Sequence, residues 1–350
     1  LIPSFEQAGR WFLQSGIQEP DGGMARYHLS DNGQNAAVST EITGYAVSTF
    51  MYLHSVTGRP EYLDAGLRAA RYLSREAWDR ASNAFPFEPA AETAYFFDTG
   101  IIVRGLLSAW RATSDTEFQD RAHEATLSLA FDFLGEDVFH PVVSLPEKQL
   151  LPYQDRWSRH PGCYQLKSAL AWLETREPGG VKLFESVLEY SLATHESFLS
   201  GETDREKLMD RLHAYCYFLE GLLAVADRAE VRNPLNSGLD RAAAMFREIA
   251  PQFERSDVAA QLLRVRLIAH HSGAVALNES AACEEAARAA SFQDLTSASS
   301  KVRGGFYFGQ KRAVLLPFSN PVSTAFCLQA LELWERHRAG RWDFEFSQLI

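Results

Sequence analysis

The sequence predicts an all-α chain whose helices wrap into a closed double ring, six inside and six outside. Three observations predict it. Apolar residues recur at helical rather than strand spacing along nearly the whole chain. Helices of two kinds alternate, and the alternation repeats roughly every 50–60 residues, the mark of supersecondary units sharing one core.

Taken in chain order, an amphipathic segment near 3–16 opens the series and an enclosed one follows near 40–57, where EITGYAVSTFMYLHSV is apolar almost all round. A helix without a polar face must be surrounded by protein. Near 60–76, PEYLDAGLRAARYLSREAW puts Leu63, Leu67, Ala70 and Leu73 on one stripe and Glu61, Asp64, Arg68, Arg71 and Arg75 elsewhere, so that helix has a wet face. The enclosed TGIIVRGLLSAW lies within 97–112, followed by an amphipathic helix near 115–134. The pattern continues with 161–174 enclosed and 180–198 amphipathic, then 210–228, which holds HAYCYFLEGLLAVA, and 234–253. It ends with 256–271 enclosed, 278–291 amphipathic and 321–337, which holds PVSTAFCLQALELW, enclosed. Pairing the first amphipathic helix with the last enclosed one closes the ring, a single domain over 1–350. Gly105 and Gly221 would let inner helices approach closely, at a propensity cost of ~1 kcal/mol each relative to alanine.

In such a ring the inner helices start at one end, and the segments entering them are the long ones: 17–39, 78–96, 135–160 and 292–320. Long loops gathered on one face of a regular scaffold usually carry function. The inner starts also hold polar groups that a sealed core would exclude: Glu41, Thr43, Tyr45, Asp98, Thr99, Asp155, Arg156, Trp157, His160, Asp210, Arg211, His213, Ser256, Asp257, Asn320 and Ser323. For Asp98 and Asp257, helix capping and a substrate role are both open, since Asp is a preferred cap. Glu41 caps less well than Asp, which favours a site. Trp157 and Tyr45 serve either packing or stacking against a sugar face. Arg156 and Arg211 pair with aspartates or grip an anionic substrate group with two-pronged geometry. Two carboxyls in unlike environments can divide the roles of general acid and base, as glycoside hydrolysis requires. Proton abstraction from carbon would need a base such as His160 or His213 beside Arg156 or Arg211. The expected catalytic set is Glu41, Asp98, Asp257 and His213, and the expected substrate-binding set is Tyr45, Arg156, Trp157, His160 and Arg211. His270 and His271, at the far end of their helix, are expected to have no catalytic role.

The stretch FFDTG at 96–100 is no aspartic-protease signature, because a single DTG precedes a helical pattern and that chemistry needs two aspartates sharing a proton. A net charge of −11 leaves no basic surface for phosphates, which excludes nucleic acid and disfavours anionic lipid as partners. No apolar run reaches the ~20 residues of a membrane span, and LIPSFEQAGRWF lacks the pattern of a signal peptide. Four scattered cysteines without CxxC spacing read as buried small apolar residues in a reducing compartment, so a cytoplasmic location is expected.

The rhythm of hairpins, with STEITGYAVSTFMYLHSVTGRPEYLDAGLRAARYL, FFDTGIIVRGLLSAWRATSDTEF, LHAYCYFLEGLLAVADR and GGFYFG before NPVSTAFCLQALELW, resembles the six-hairpin, (α/α)6-toroid glycosidase-like superfamily. It is similar in particular to bacterial members associated with surface polysaccharides. The resemblance implies a carbohydrate substrate, often an acidic one, in a central cavity; the superfamily includes unsaturated glucuronyl hydrolases, N-acylglucosamine 2-epimerases and the toroid parts of polysaccharide lyases and uronyl epimerases. Neighbouring toroid families part from this chain by motif. DxDD and DDxxD of terpene cyclases are missing, as are the adjacent Cys-His of lanthionine cyclases and the glycine-rich cofactor loops, so neither a cofactor nor a metal is expected. Two functions follow: a glycoside hydrolase or a uronate epimerase- or lyase-like enzyme, or a non-catalytic sugar-binding or scaffold protein of polysaccharide synthesis.

Overall fold

The computed structural model describes residues 3–350 and contains, among them, twelve α-helices joined by loops with a few strands of two or three residues. The helices are α1 (Pro3–Gln14), α2 (Thr40–Thr57), α3 (Pro60–Arg71), α4 (Phe96–Thr113), α5 (Thr116–Phe131), α6 (Gln165–Thr175), α7 (Gly180–Phe198), α8 (Arg205–Leu222), α9 (Ala229–Ile249), α10 (Ser256–His271), α11 (Glu279–Ser291) and α12 (Pro321–Arg338). They divide between two compact units: a leading one of residues 18–26, 36–195 and 347–350, and a trailing one of residues 3–17, 27–35 and 196–346.

In the leading unit, α2 packs on α4 and α4 on α6, while α3 lies against α2 and α4, and α5 against α4 and α6. The contact of α2 with α4 is close because glycines face each other: a Cβ on Gly105 would stand 2.5 Å from the Gly44 carbonyl oxygen. Ser168 of α6 comes as near to Gly100 of α4, where an added Cβ would meet its Cβ at 2.5 Å. The expected role of Gly105 is thus a finding, while Gly221 is buried in α8.

The wet helix α3 buries Tyr62, Ala65, Gly66, Ala69 and Ala70, with Leu63 and Leu67 only half-buried. The predicted stripe is rotated by about one residue, because small side chains at Ala65 and Gly66 let α3 sit against Phe50 and Met51 of α2. The helix then widens into a π-helical turn at Tyr72–Ala77.

In the trailing unit α10 packs on α8 and α12, with α9, α11 and α1 as the outer partners. The contact of α1 with α12 is the pairing of first and last elements that the alternation requires. Buried ion pairs tie these helices: Arg266 grips Glu285 at 2.7 and 3.0 Å, and Arg264 meets Glu220 while its guanidinium lies 4.0 Å over Phe326. Cys163, Cys216 and Cys327 are buried, whereas Cys283 is exposed on the outer face of α11, contrary to expectation.

The loops entering the long buried helices pair with one another. Thr93–Tyr95, just before α4, forms an antiparallel ladder with Val142–Ser144 of the segment leading to α6. In the trailing unit Phe253–Arg255, just before α10, pairs with Gly309–Lys311 of the segment leading to α12. These ladders hold neighbouring helix starts on one side of each unit. None of the helices is long and apolar enough to cross a membrane.

Candidate active site

In the leading unit, Glu41 and Asp98 occupy the first turns of α2 and α4. Neither stands at the N-cap position. Ser39 caps α2, its Oγ accepting from the Ile42 amide at 3.3 Å, and Tyr95 precedes α4 without a side-chain cap bond. Asp98 is 7% exposed, and its Oδ2 has no hydrogen-bond partner among the described residues. Its carboxyl also accepts from its own backbone N–H in the first turn, so capping and a substrate role both stay open for Asp98.

Burial pushes the Glu41 carboxyl up to about 7 against the pull of the Arg26 and Lys167 charges. Burial also raises Asp98 well above the usual carboxylate range, and the charge of Glu41 adds to the effect while Arg26 opposes it. Near neutrality Glu41 is therefore part-protonated, while burial and the Glu41 charge favour the protonated form of Asp98. Such a pair contains an acid and a base at once.

Two cations frame the pair. Arg26 donates to Glu88 at 2.7 Å and lies 4.8 Å over Phe87. Lys167, in the first turn of α6, is completely buried, donates to the Ile350 carbonyl at 3.0 Å and stands 5.2 Å from the centre of the Tyr45 ring. Sequence reasoning missed both, although a lysine inside the apolar run CYQLKSALAW is a signal of its own, since charge in a core needs a partner. An open cleft of about 720 Å³ in the same unit is lined among others by Thr40, Tyr72, Trp78, Glu88 and Glu92, with neither Glu41 nor Asp98 in its lining.

Aromatic side chains surround Asp98. Trp157 meets Tyr164 edge-on with ring centres 5.1 Å apart and Phe97 at 6.3 Å. The Tyr164 hydroxyl donates to the His160 carbonyl at 3.1 Å; burial and the Asp98 charge push its ionisation far up, so it stays a neutral hydroxyl. The ring of His160 is exposed and tilts against Tyr153 at 5.1 Å, and Arg156 is exposed. These residues belong to a loop and a short 3-10 turn, Trp157–Arg159, rather than to the start of α6 at Gln165. Arg159, not Arg156, reaches an aromatic hydroxyl, that of Tyr95 at 2.9 Å. Thr43 and Thr99 are structural, each donating to a backbone carbonyl four residues earlier.

The trailing unit assembles a second constellation. Its helix α8 begins at Arg205 with Asp204 as cap, so Asp210, Arg211 and His213 lie one to two turns inside it, not at its start as expected. His213 is buried, its Nδ1 2.7 Å from Gln261 Oε1 and 3.7 Å from Asp257 Oδ2. Burial and the Arg255 charge drive its pKa down to about 4, overcoming the opposite pull of Asp257, so the imidazole is neutral at pH 7.

Asp257 shares its surroundings but not its state. Burial alone would raise its pKa, yet the two-pronged grip of Arg255, at 3.0 and 2.7 Å, leaves it below the ordinary value. It is therefore ionised, and an ionised carboxylate cannot serve as general acid. Arg255 also donates to Asp210 at 2.7 Å, the anchoring task expected of Arg211, which is half-buried on α8. Of the remaining polar starts, Ser256 donates to the Tyr307 carbonyl at 2.7 Å and Asn320 caps α12 by accepting from the Ser323 amide at 3.0 Å, both structural duties.

No family model matches the chain, and no curated protein does either. Solved structures do. Cellobiose 2-epimerase from Spirochaeta thermophila superposes with a TM-score of 0.72 at 14% identity over 95% of each chain. A D-mannose isomerase matches with a TM-score of 0.70 at 12% identity over 95% of this chain and 96% of that one. The family 76 α-mannanase of Bacteroides thetaiotaomicron gives 0.61 at 13% identity over 95% and 97%. At such identities the likeness concerns the fold. The chain has the all-α (α/α)6-toroid fold of the six-hairpin glycosidase-like enzymes, as the alternation of its helices predicts.

Proposed function

We propose that the protein is a carbohydrate-active enzyme that uses Glu41 and Asp98 as general acid and base. The observation that carries this reading is the pair itself: two carboxyls in adjacent helix starts, both shifted upward by burial, one with an oxygen that has no hydrogen-bond partner among the described residues. A purely structural role does not explain an unpartnered buried carboxyl oxygen, which costs free energy unless something uses it. Arg26 and Lys167 supply positive charge to steady a developing anion, and the half-buried Trp157 offers an aromatic face for a sugar ring, whereas Tyr45 is buried under Lys167 and packs instead. Support for a sugar rather than another substrate comes from the structural neighbours named above, an isomerase, an epimerase and a mannanase, each named for a carbohydrate.

A second reading within the same class places proton transfer at carbon, as in an epimerase or isomerase, with His213 as base. What favours it is the neutral state of the imidazole, held by Gln261 beside the Asp257–Arg255 pair. The two readings part in deuterium oxide. Incubation with a panel of mono- and disaccharides, followed by NMR, should show new reducing ends for hydrolysis, or deuterium at C2 for epimerisation or isomerisation. Asp98→Asn should abolish turnover and keep binding if the carboxyl pair does the chemistry; His213→Asn should do so if the imidazole does. Saturable sugar binding without turnover in the unaltered protein would refute both and establish a binding module.

A further inference from the structure

We propose that His270, His271 and His337 form a binding site for one first-row divalent metal ion such as Zn²⁺. The first two end α10 and the third lies in the last turn of α12, so the fold brings together residues far apart in sequence. A ring nitrogen of each lies within 4.8 Å of the others, and His271 Nε2 is 3.1 Å from His337 Nδ1. Two nitrogens on a tetrahedral zinc, each at ~2.0–2.1 Å from it, stand about 3.3 Å apart, so this pair is already near coordination spacing. His270 needs only a small rotation to bring the third nitrogen in, leaving a fourth position for water.

The surroundings fix these rings as ligands are usually fixed. Glu279, the first residue of α11, holds His337 Nε2 at 3.0 Å, which turns Nδ1 toward His271. A carboxylate behind a ligating histidine sets its orientation and raises its basicity. Trp342 stacks on His271 with ring centres 3.8 Å apart and planes 8° from parallel, and Trp334 stacks on His337 at 5.6 Å and 19°. Nearby cations are neutralised: Arg336 binds Glu332 and Asp343, and Arg338 binds Glu335 at 3.3 Å. Three imidazoles crowd one another at ring separations of 5.1–5.9 Å, with the His271–His337 hydrogen bond between them. An ion would use all three and clamp the ends of α10 and α12. Imidazole ligands suit zinc, nickel and copper rather than magnesium or calcium.

The test is titration of the whole chain with Zn²⁺ by isothermal calorimetry, in a Cys283→Ser background that removes the exposed thiol. One ion per chain at micromolar affinity or tighter is expected. His271→Ala and His337→Ala should each weaken it at least tenfold, and Glu279→Gln should weaken it by about tenfold or more, as loss of an outer carboxylate does. Zn²⁺ should also raise the melting temperature of the parent but not of His271→Ala. Co²⁺ should give the intense visible bands of a four-coordinate site. Circular dichroism checks that the variants fold; should an alanine variant fail, His271→Gln, whose planar amide still covers Trp342, carries the same comparison. Absence of a stoichiometric site in the parent, or an affinity in His271→Ala and His337→Ala that equals the parent's, overturns the proposal.

Discussion

Arg255 holds both oxygens of Asp257, at 3.0 and 2.7 Å, so the carboxylate that faces His213 is already engaged. The pair therefore acts on the imidazole as a fixed unit: the guanidinium nearby disfavours a proton on His213 more than the neutralised carboxylate favours one. Removing the arginine reverses this. In Arg255→Ala the His213 pKa should rise from about 4 toward its ordinary 6.5, with burial, the larger cause of its depression, still holding it down, and NMR titration of the ring protons reads the rise directly. The variant should also lose about 3–5 kcal/mol of stability, because a buried charge is left without its partner.

A second expectation concerns pH and comes from the same histidine. Its folded pKa, about 4, lies below the unfolded value near 6.5, so between these the unfolded chain binds more protons. Stability contributed by the neutral ring is complete above pH 6.5 and is lost as pH falls toward 4, by up to about 3 kcal/mol. His213→Asn should flatten that limb in denaturant melts taken across the window; an unchanged limb would count against a buried neutral ring.

Glu41 has the opposite sign. Its folded pKa of about 7 exceeds the reference 4.5, so the folded chain binds more protons in between, and stability falls as pH rises through that interval. Replacing the carboxyl by a neutral amide removes the penalty. Glu41→Gln should therefore be more stable than the parent at pH 8, by about 1–3 kcal/mol, and little different at pH 4. A variant that is less stable at pH 8 would mean that the carboxylate is a structural partner, not a strained functional group.

The approach of α2 and α4 supplies a packing test. Alanine at Gly105 gains up to ~1 kcal/mol of helix propensity, yet its Cβ would stand 2.5 Å from the backbone oxygen of Gly44, which cannot swing away. Overpacking of this kind costs ~1–3 kcal/mol, so Gly105→Ala should lower the melting temperature. Gly58, at φ 69° with open space around it, is the control where a helix end, not packing, asks for glycine.

The hairpins were readable because their cause is local: apolar spacing and the absence or presence of a wet face decide whether a helix is enclosed. Start and stop positions agree to within a few residues at most helices. At α8 and α9 they do not: these begin at Arg205 and Ala229, not near 210 and 234, and the start of α8, REKLMD, is polar and half-exposed, with the apolar run beginning only later. The carboxyl pair was readable too, since Glu41 and Asp98 interrupt helix starts that are otherwise apolar. Their cations were not. Arg26 comes from a loop, and Lys167 binds the carbonyl of Ile350, 183 residues away in sequence. Nor does a sequence show that Arg255, at the end of the short strand Phe253–Arg255, turns back on Asp257 two residues later. His271 and His337, 66 residues apart, meet only when α10 and α12 pack.

The account turns on a carboxyl pair that moves protons for a sugar. The most direct measurement is saccharide turnover, followed by NMR over a panel of sugars, for the parent, Asp98→Asn and Glu41→Gln under identical conditions. The account predicts turnover in the parent and a loss of at least about 100-fold in both variants, with sugar binding retained. Full turnover in either variant would contradict it.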